Sequence, residues 1–147
     1  MFATLHTQDT PQTIDRIIDV FTPEQQPQVR MMLSESLVGV ATQTLLKRRT
    51  GGRIAALEIL VGTAAVKNLI REGKTHQVPS IMQVTTGVGM QTLESNLVAL
   101  VTAGEVELAE AMDRLPGSEK LAALKAVTAT PTAPSRLATV PSMRRVA

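Results

Sequence analysis

The sequence has no cysteine, no tryptophan and no tyrosine, and its 147 residues include only two phenylalanines and two histidines. Without cysteine there is neither a disulfide framework nor a thiolate metal site. His6 and His76 are far apart, with no ligand-type spacing around either, which argues against a histidine-built metal centre. Phe2 and Phe21 alone make a poor base-stacking platform for single-stranded nucleic acid. Lys and Arg number 15 against 13 Asp and Glu, and a formal charge of +2 is too small to argue for nucleic acid or an anionic membrane. No apolar run approaches the roughly 20 residues of a membrane helix. Met1 is not followed by the basic and apolar regions of a signal peptide. What is there is enough chain for one domain with a real core, with an ordinary apolar fraction of 44%. It reads as a cytoplasmic soluble domain with no transmembrane segment and no nucleic-acid partner.

Along the chain, Met1 to Leu5 read as the end of a buried strand that delivers His6 to a site. Thr10-Pro11 opens a first helix, with Thr10 as cap and proline at a position where its missing N–H costs nothing. Ile14, Ile17, Ile18 and Phe21 form its apolar stripe. Thr22-Pro23-Glu24-Gln25 repeats the start signal with a capping-box glutamine. The second helix is expected to bury Val29, Met32, Leu33, Leu37 and Val40. Gln43 to Arg48 and Arg53 to Val61 read as two strands joined by a Thr50-Gly51-Gly52 hairpin turn. From Thr63 the pattern is helical again. Ala65, Val66, Leu69 and Ile70 lie on one face, and Lys67, Asn68, Arg71 and Glu72 on the other. A short helix is expected around Pro79 to Gln83. A longer one carries Met90, Leu93, Leu97, Leu100 and Val101 and stops at Gly104. A last one covers Glu105 to Met112. After Ala126 the chain is rich in Pro, Thr, Ala and Ser without periodicity, and reads as a disordered tail.

Few residues suggest chemistry. Glu72-Gly-Lys-Thr-His76 ends like a phosphate-binding loop, but Asn68 stands where the first glycine belongs and a helix, not a strand, precedes it. Gly87-Val88-Gly89 reads as an inter-helix loop. Glu58, on an apolar strand, is either a metal-assisting acid or, more simply, a paired or edge glutamate. His6, followed by Thr7 and a capped helix, is either a residue at a ligand crevice or one that caps a loop. Lys67 and Arg71, both positive at i and i+4, gain nothing from each other. They mark either a solvated face or a docking surface.

Four stretches together resemble a family: "FATLHT…TIDRIIDVF", "MMLSESLVGVATQTLL", "GGRIAALEILVGTAAVKNLIREGK" and "GMQTLESNLVALVTAGEV". In order, from Phe2 to about Met112, they are similar to the C-terminal portion of the type IV pilus retraction (twitching-motility) ATPases of the PilT type, within the secretion-ATPase superfamily. "LHT" before a "TIDRI" helix matches the family's histidine box, and "AVKNLIRE" its AIRNLIRE motif. The resemblance implies an α/β fold. Residues 1–62 would be part of a RecA-like ATPase core, comprising a strand, two helices and a β-hairpin. Residues 63–126 would be a C-terminal helical subdomain, and residues 127–147 the disordered tail. In the family the P-loop, aspartate box and Walker B acid precede "LHT", and none occurs here. The expectation is therefore a fragment, truncation or internal start that does not hydrolyse ATP on its own.

By position, the resemblance puts His6 and Thr7 near the γ-phosphate and gives Arg16 a weaker nucleotide-site or interface role. It assigns Ala65, Val66, Lys67, Asn68, Leu69, Ile70, Arg71 and Glu72 to retraction. The family uses Mg-ATP and works as a cytoplasmic hexameric ring at the inner-membrane pilus base. This chain alone is expected to hold no cofactor or metal, and to associate with itself, with a full-length homologue or with pilus-base components. The alternative is a non-enzymatic module that modulates a full-length retraction ATPase. Gln8 and Asp9 depart from the family's Asn-Ser after "HT", and Asp9 would set negative charge beside phosphate. Lys67 replaces an arginine, keeping charge but losing the planar fork.

Overall fold

The computed structural model describes residues 3–128. Seven α-helices, two short 3-10 turns and one hairpin occur among them. Helices α1 (Thr10–Asp19) and α2 (Gln26–Ser36) lead into strands β1 (Gly39–Lys47) and β2 (Arg53–Val61). Helices α3 (Ala64–Arg71), α4 (Val78–Val84), α5 (Leu93–Thr102), α6 (Leu108–Arg114) and α7 (Glu119–Thr128) follow. The chain is thus α/β, with a two-stranded antiparallel sheet. No helix among the described residues is long and apolar enough to cross a membrane. The expected tail lies outside the described residues from position 129 onward.

The hairpin is the spine. Its register pairs Val40 with Leu60 and Thr44 with Ala56, so even-numbered residues of both strands share one face. Thr44, Leu46, Ala56 and Leu60 are buried on that face, while Ala41, Gln43 and Leu45 on the other are exposed. The five-residue turn works because Gly51 and Gly52 take φ of 98° and 77°, open to glycine without steric cost. Leu60 reaches a first core of Ile14, Ile18, Val66, Ile70, Val78, Met82 and Met90. Ala56 and Leu46 reach a second, with Leu97, Val106, Ala111 and Leu121.

Several sequence expectations are corrected. Residues 3–7 form no strand and Ala3 to His6 are exposed. A strand needs a hydrogen-bonded neighbour, and no described segment offers one. The α1 cap is Asp9, not Thr10: its carboxylate accepts from the Gln12 N–H at 2.7 Å, and Thr10 is the buried first residue of the helix. Because α1 ends at Asp19, Phe21 falls beyond its stripe and is 41% exposed. The Gln25 side chain does accept from the Thr22 N–H at 3.4 Å, as a capping-box glutamine would, but Thr22 to Gln25 form a turn and α2 begins only at Gln26. That helix turns Val29 and Leu33 inward, with its C-cap Leu37 packed beside them, and leaves Met32 61% exposed, while Ser34 is buried with its hydroxyl on the Met31 carbonyl. Val40 belongs to β1, which starts four residues before the expected Gln43. Met90 precedes α5, and the last expected helix begins at Leu108 rather than Glu105. Ala65, placed on the apolar face of α3, is exposed. Helix α7 runs to Thr128, two residues into the segment expected as tail.

Candidate functional site

Two surface depressions carry the sequence-predicted residues. The first is a cleft of about 500 Å³ between the loop before α1, the hairpin, α4, α5 and α6. Thr7 lines it, its hydroxyl sharing a 2.6 Å hydrogen bond with that of Thr13, which also donates to the Asp9 carbonyl. Glu58 forms one wall. On the covered face of the hairpin, between Ala56 and Leu60, it accepts from the Thr10 N–H at 2.8 Å and from the Leu93 N–H at 3.4 Å. One carboxylate thus sits at the N-termini of α1 and α5, where the helix dipoles favour negative charge. It is the paired glutamate of the simpler reading, but on the covered face of the hairpin. Arg114 crosses the cleft to donate to Thr44 Oγ1 at 3.3 Å. Asp9, Glu94 and Asp113 add three further carboxylates.

His6 and Arg16 do not join this cleft. His6 is exposed and lies outside its lining. Arg16 is exposed because Ile14 and Ile18, two residues to either side, define the buried face of α1. Sequence reading missed Arg114, Glu94 and Asp113, which come from helices remote in sequence. The one local signal was Glu58 itself, a charged residue in phase with the apolar positions of its strand.

The cleft does not fit a nucleotide's phosphates on its own. Its lining carries one arginine against four carboxylates and offers no glycine-rich turn of amides. The Gly-Lys-Thr stretch is committed elsewhere. Gly73 ends α3 with φ 69°, Lys74 pairs with Glu72 at 2.8 Å, and Thr75 is buried, donating to Asp15 Oδ1 at 2.8 Å. Among the described residues no group of three or more His, Asp or Glu could hold a metal ion.

The second depression, of about 550 Å³, lies where α2 packs on α3. Thr63 caps α3 by accepting from the Val66 N–H, and Gly73 stops it, with the Lys74 N–H returning to the Leu69 carbonyl at 2.8 Å. Val66 and Ile70 are fully buried and Leu69 partly so. The polar side is a chain of contacts: Arg71 donates to Asn68 at 3.4 Å, Asn68 to Glu72 at 2.9 Å, and Lys74 holds the other Glu72 oxygen. These contacts, led by Lys74, push the exposed Glu72 carboxyl below its usual range. Lys67 turns away and donates to the Glu35 carbonyl at 3.1 Å.

The chain is 48% identical over 114 residues to the type IV pilus retraction ATPase PilT of Pseudomonas aeruginosa, covering 78% of this chain and 33% of that protein. A twitching motility protein of Neisseria gonorrhoeae is 45% identical over 122 residues, covering 82% and 33% respectively. The crystal structure of the pilus retraction motor PilT with bound ADP superposes with a TM-score of 0.71 at 41% identity, over 81% of this chain and 33% of that one. The chain matches a C-terminal portion of the PilT retraction ATPases. It spans about a third of the length of the curated relatives it matches. No protein-family model matches it. Helix α3 and its C-terminal cap carry Ala65–Glu72, and the loop before α1 carries His6 and Thr7.

Proposed function

We propose that these residues form the C-terminal, partner-facing part of a type IV pilus retraction motor, and that ATP hydrolysis belongs to the complete RecA-like ring. The observation that carries this reading is the division of labour on α3. Val66 and Ile70 are buried, while Asn68, Arg71 and Glu72 stay in water on a helix closed at both ends. A face that spends no charge on the core is free to transmit force through contact with a partner. In the complete motor, Mg-ATP supplies the phosphoryl group. The loop carrying His6 and Thr7 would face it, with phosphate contacts and the water-positioning acid coming from outside these 147 residues. The ring works in the cytoplasm, hexameric and against the inner-membrane pilus base. Arg71→Ala in a complete motor carrying this region should leave ATPase rate and melting temperature nearly unchanged and stop twitching. Normal twitching would reduce this face to solvated surface. The chain by itself should show no saturable Mg-ATP binding in calorimetry below about 1 mM, a free energy of about −4 kcal/mol; a micromolar constant would overturn that part.

A second reading, a non-enzymatic module that joins and modulates a full-length retraction ATPase, is favoured by the edge of β1, which pairs with no other strand among the described residues, and by Leu45 exposed beside it. Co-purification with a full-length homologue, with a falling specific ATPase rate as the chain is titrated in, separates the two.

A further inference from the structure

The groove between α2 and α3 holds two arginines that make no direct ion pair among the described residues, although Arg71 lies near enough to Glu72 for its charge to help lower that carboxyl's pKa. Arg30 comes from α2, and its guanidinium lies over Gly73: Nη1 is 3.4 Å from where a Cβ on that glycine would stand. Arg71 comes from α3 and makes one long contact to Asn68. Glu72 is on the same wall, but Lys74 and Asn68 engage its two oxygens. Neither arginine forms an ion pair among the described residues. Pro23, Pro27 and the half-exposed Met31 complete the lining with apolar surface. A planar guanidinium presents paired N–H donors that match a carboxylate, and nearly all of those donors are unused here.

We propose that this groove docks an acidic segment of a partner protein, with carboxylates taken by Arg30 and Arg71 and an apolar side chain laid against Met31 and the prolines. This deepens the reading above by giving the α3 face a partner of stated chemistry. A segment fits better than an anionic bilayer, because Arg30 is half-buried between two helices and a flat headgroup surface reaches it poorly. Lys67, the other cation of the motif, is turned toward α2 and takes no part.

The test uses the full chain and a fluorescein-labelled peptide of alternating glutamate and leucine, followed by fluorescence anisotropy. Saturable binding is expected, weakened about tenfold or more by Arg30→Gln and by Arg71→Gln, the scale of one charge-assisted contact. Arg53→Gln at the hairpin tip should leave it unchanged, and melting curves should show all three variants folded. Absence of saturable binding overturns the proposal. So does equal weakening by Arg53→Gln, which would mean attraction by general positive charge. Binding to phosphatidylserine vesicles without peptide binding would replace it with a membrane contact. If peptide binding stands while Arg71→Ala twitches normally in a complete motor, the groove survives and the retraction reading falls.

Discussion

Lys67 belongs to the polar side of its helix by sequence, yet its ammonium ends on the Glu35 carbonyl in the last turn of α2. There it satisfies a carbonyl the helix leaves open and meets the negative end of the dipole. A lysine reaches such a point acceptor well, and its flexible stem replaces the fork that an arginine would bring. The remaining motif residues separate cleanly. Ile70→Ala removes a fully buried side chain from the first core and should cost about 2–5 kcal/mol in denaturant unfolding. Leu69→Ala, only partly buried, should cost less. Arg71→Ala should stay within about 0.5 kcal/mol of wild type, as exposed substitutions do. A large loss from Arg71→Ala would make that residue structural and remove the ground for a docking role. Gly73 offers a sharper check of the groove. Its φ of 69° favours glycine, and an added Cβ would stand in van der Waals contact with the Arg30 guanidinium, filling the space beside it. Gly73→Ala should therefore destabilise by about 1 kcal/mol and weaken acidic-peptide binding as well; unchanged binding would mean Arg30 has room to adjust.

At the scale of elements, α5 and α7 are joined by one carboxylate. Glu94, in the first turn of α5, accepts from the Ser118 hydroxyl at 2.6 Å and pairs with Lys120 at 2.9 Å. The Ser118 hydrogen bond, then Lys120, hold its carboxyl below the usual range. A depressed folded pKa gives stability that is fully present above the unfolded value, about 4.3. That stability disappears as pH falls through the folded value. The melting temperatures of wild type and Glu94→Gln should differ at pH 7 and draw together as the pH falls through the carboxylate's lowered range; a constant gap would assign Glu94 a role independent of charge. This contact also shows why some of the fold was legible and some not. The β-hairpin, α3 and the Gly104 stop of α5 were readable because alternation, caps and glycines are local signals. The bond from Glu94 to Ser118 joins helices through side chains distant in sequence, and no periodicity announces it. The same holds for the cleft: Arg114 and Glu94 reach it only through tertiary packing. The strand expected at the N-terminus failed for a related reason. Its residues have the composition of a strand, but strands are made by neighbours, and none of the described segments pairs with it. The cap at Asp9 in place of Thr10 is a one-residue shift between two competent capping side chains, settled by Thr10 being drawn into the interior against Met82.

For the whole molecule, the hairpin is the exposed weakness. Strand β1 runs nine residues, and its outer edge pairs with no other strand among the described residues; only the Lys47 N–H at its end is met, by Glu110 Oε1 at 3.3 Å. Such an edge presents a row of unpaired N–H and C=O groups, and proteins usually guard it with charge, proline or a covering element. Here Lys47 stands only at its end, and no proline interrupts Gly39 to Leu46. The uncovered face adds apolar surface: Leu45 is 51% exposed, and Leu57 and Ile59 opposite are half-buried. A strand edge and an apolar face on one hairpin favour association, either with a complete homologue that covers both or, failing that, with another copy of this chain. Sedimentation of the purified chain should therefore give a mass above the 15.7 kDa monomer at high micromolar concentration. Leu45→Lys places a charge on the open side of the strand and should return the chain to monomer without lowering its melting temperature, because that side chain contributes to neither core. The same variant should lose co-purification with a full-length retraction ATPase if the hairpin is the joining surface, and keep it if the α2–α3 groove is. A wild-type chain that stays monomeric throughout would mean that this edge is guarded, and the groove would then carry any association by itself.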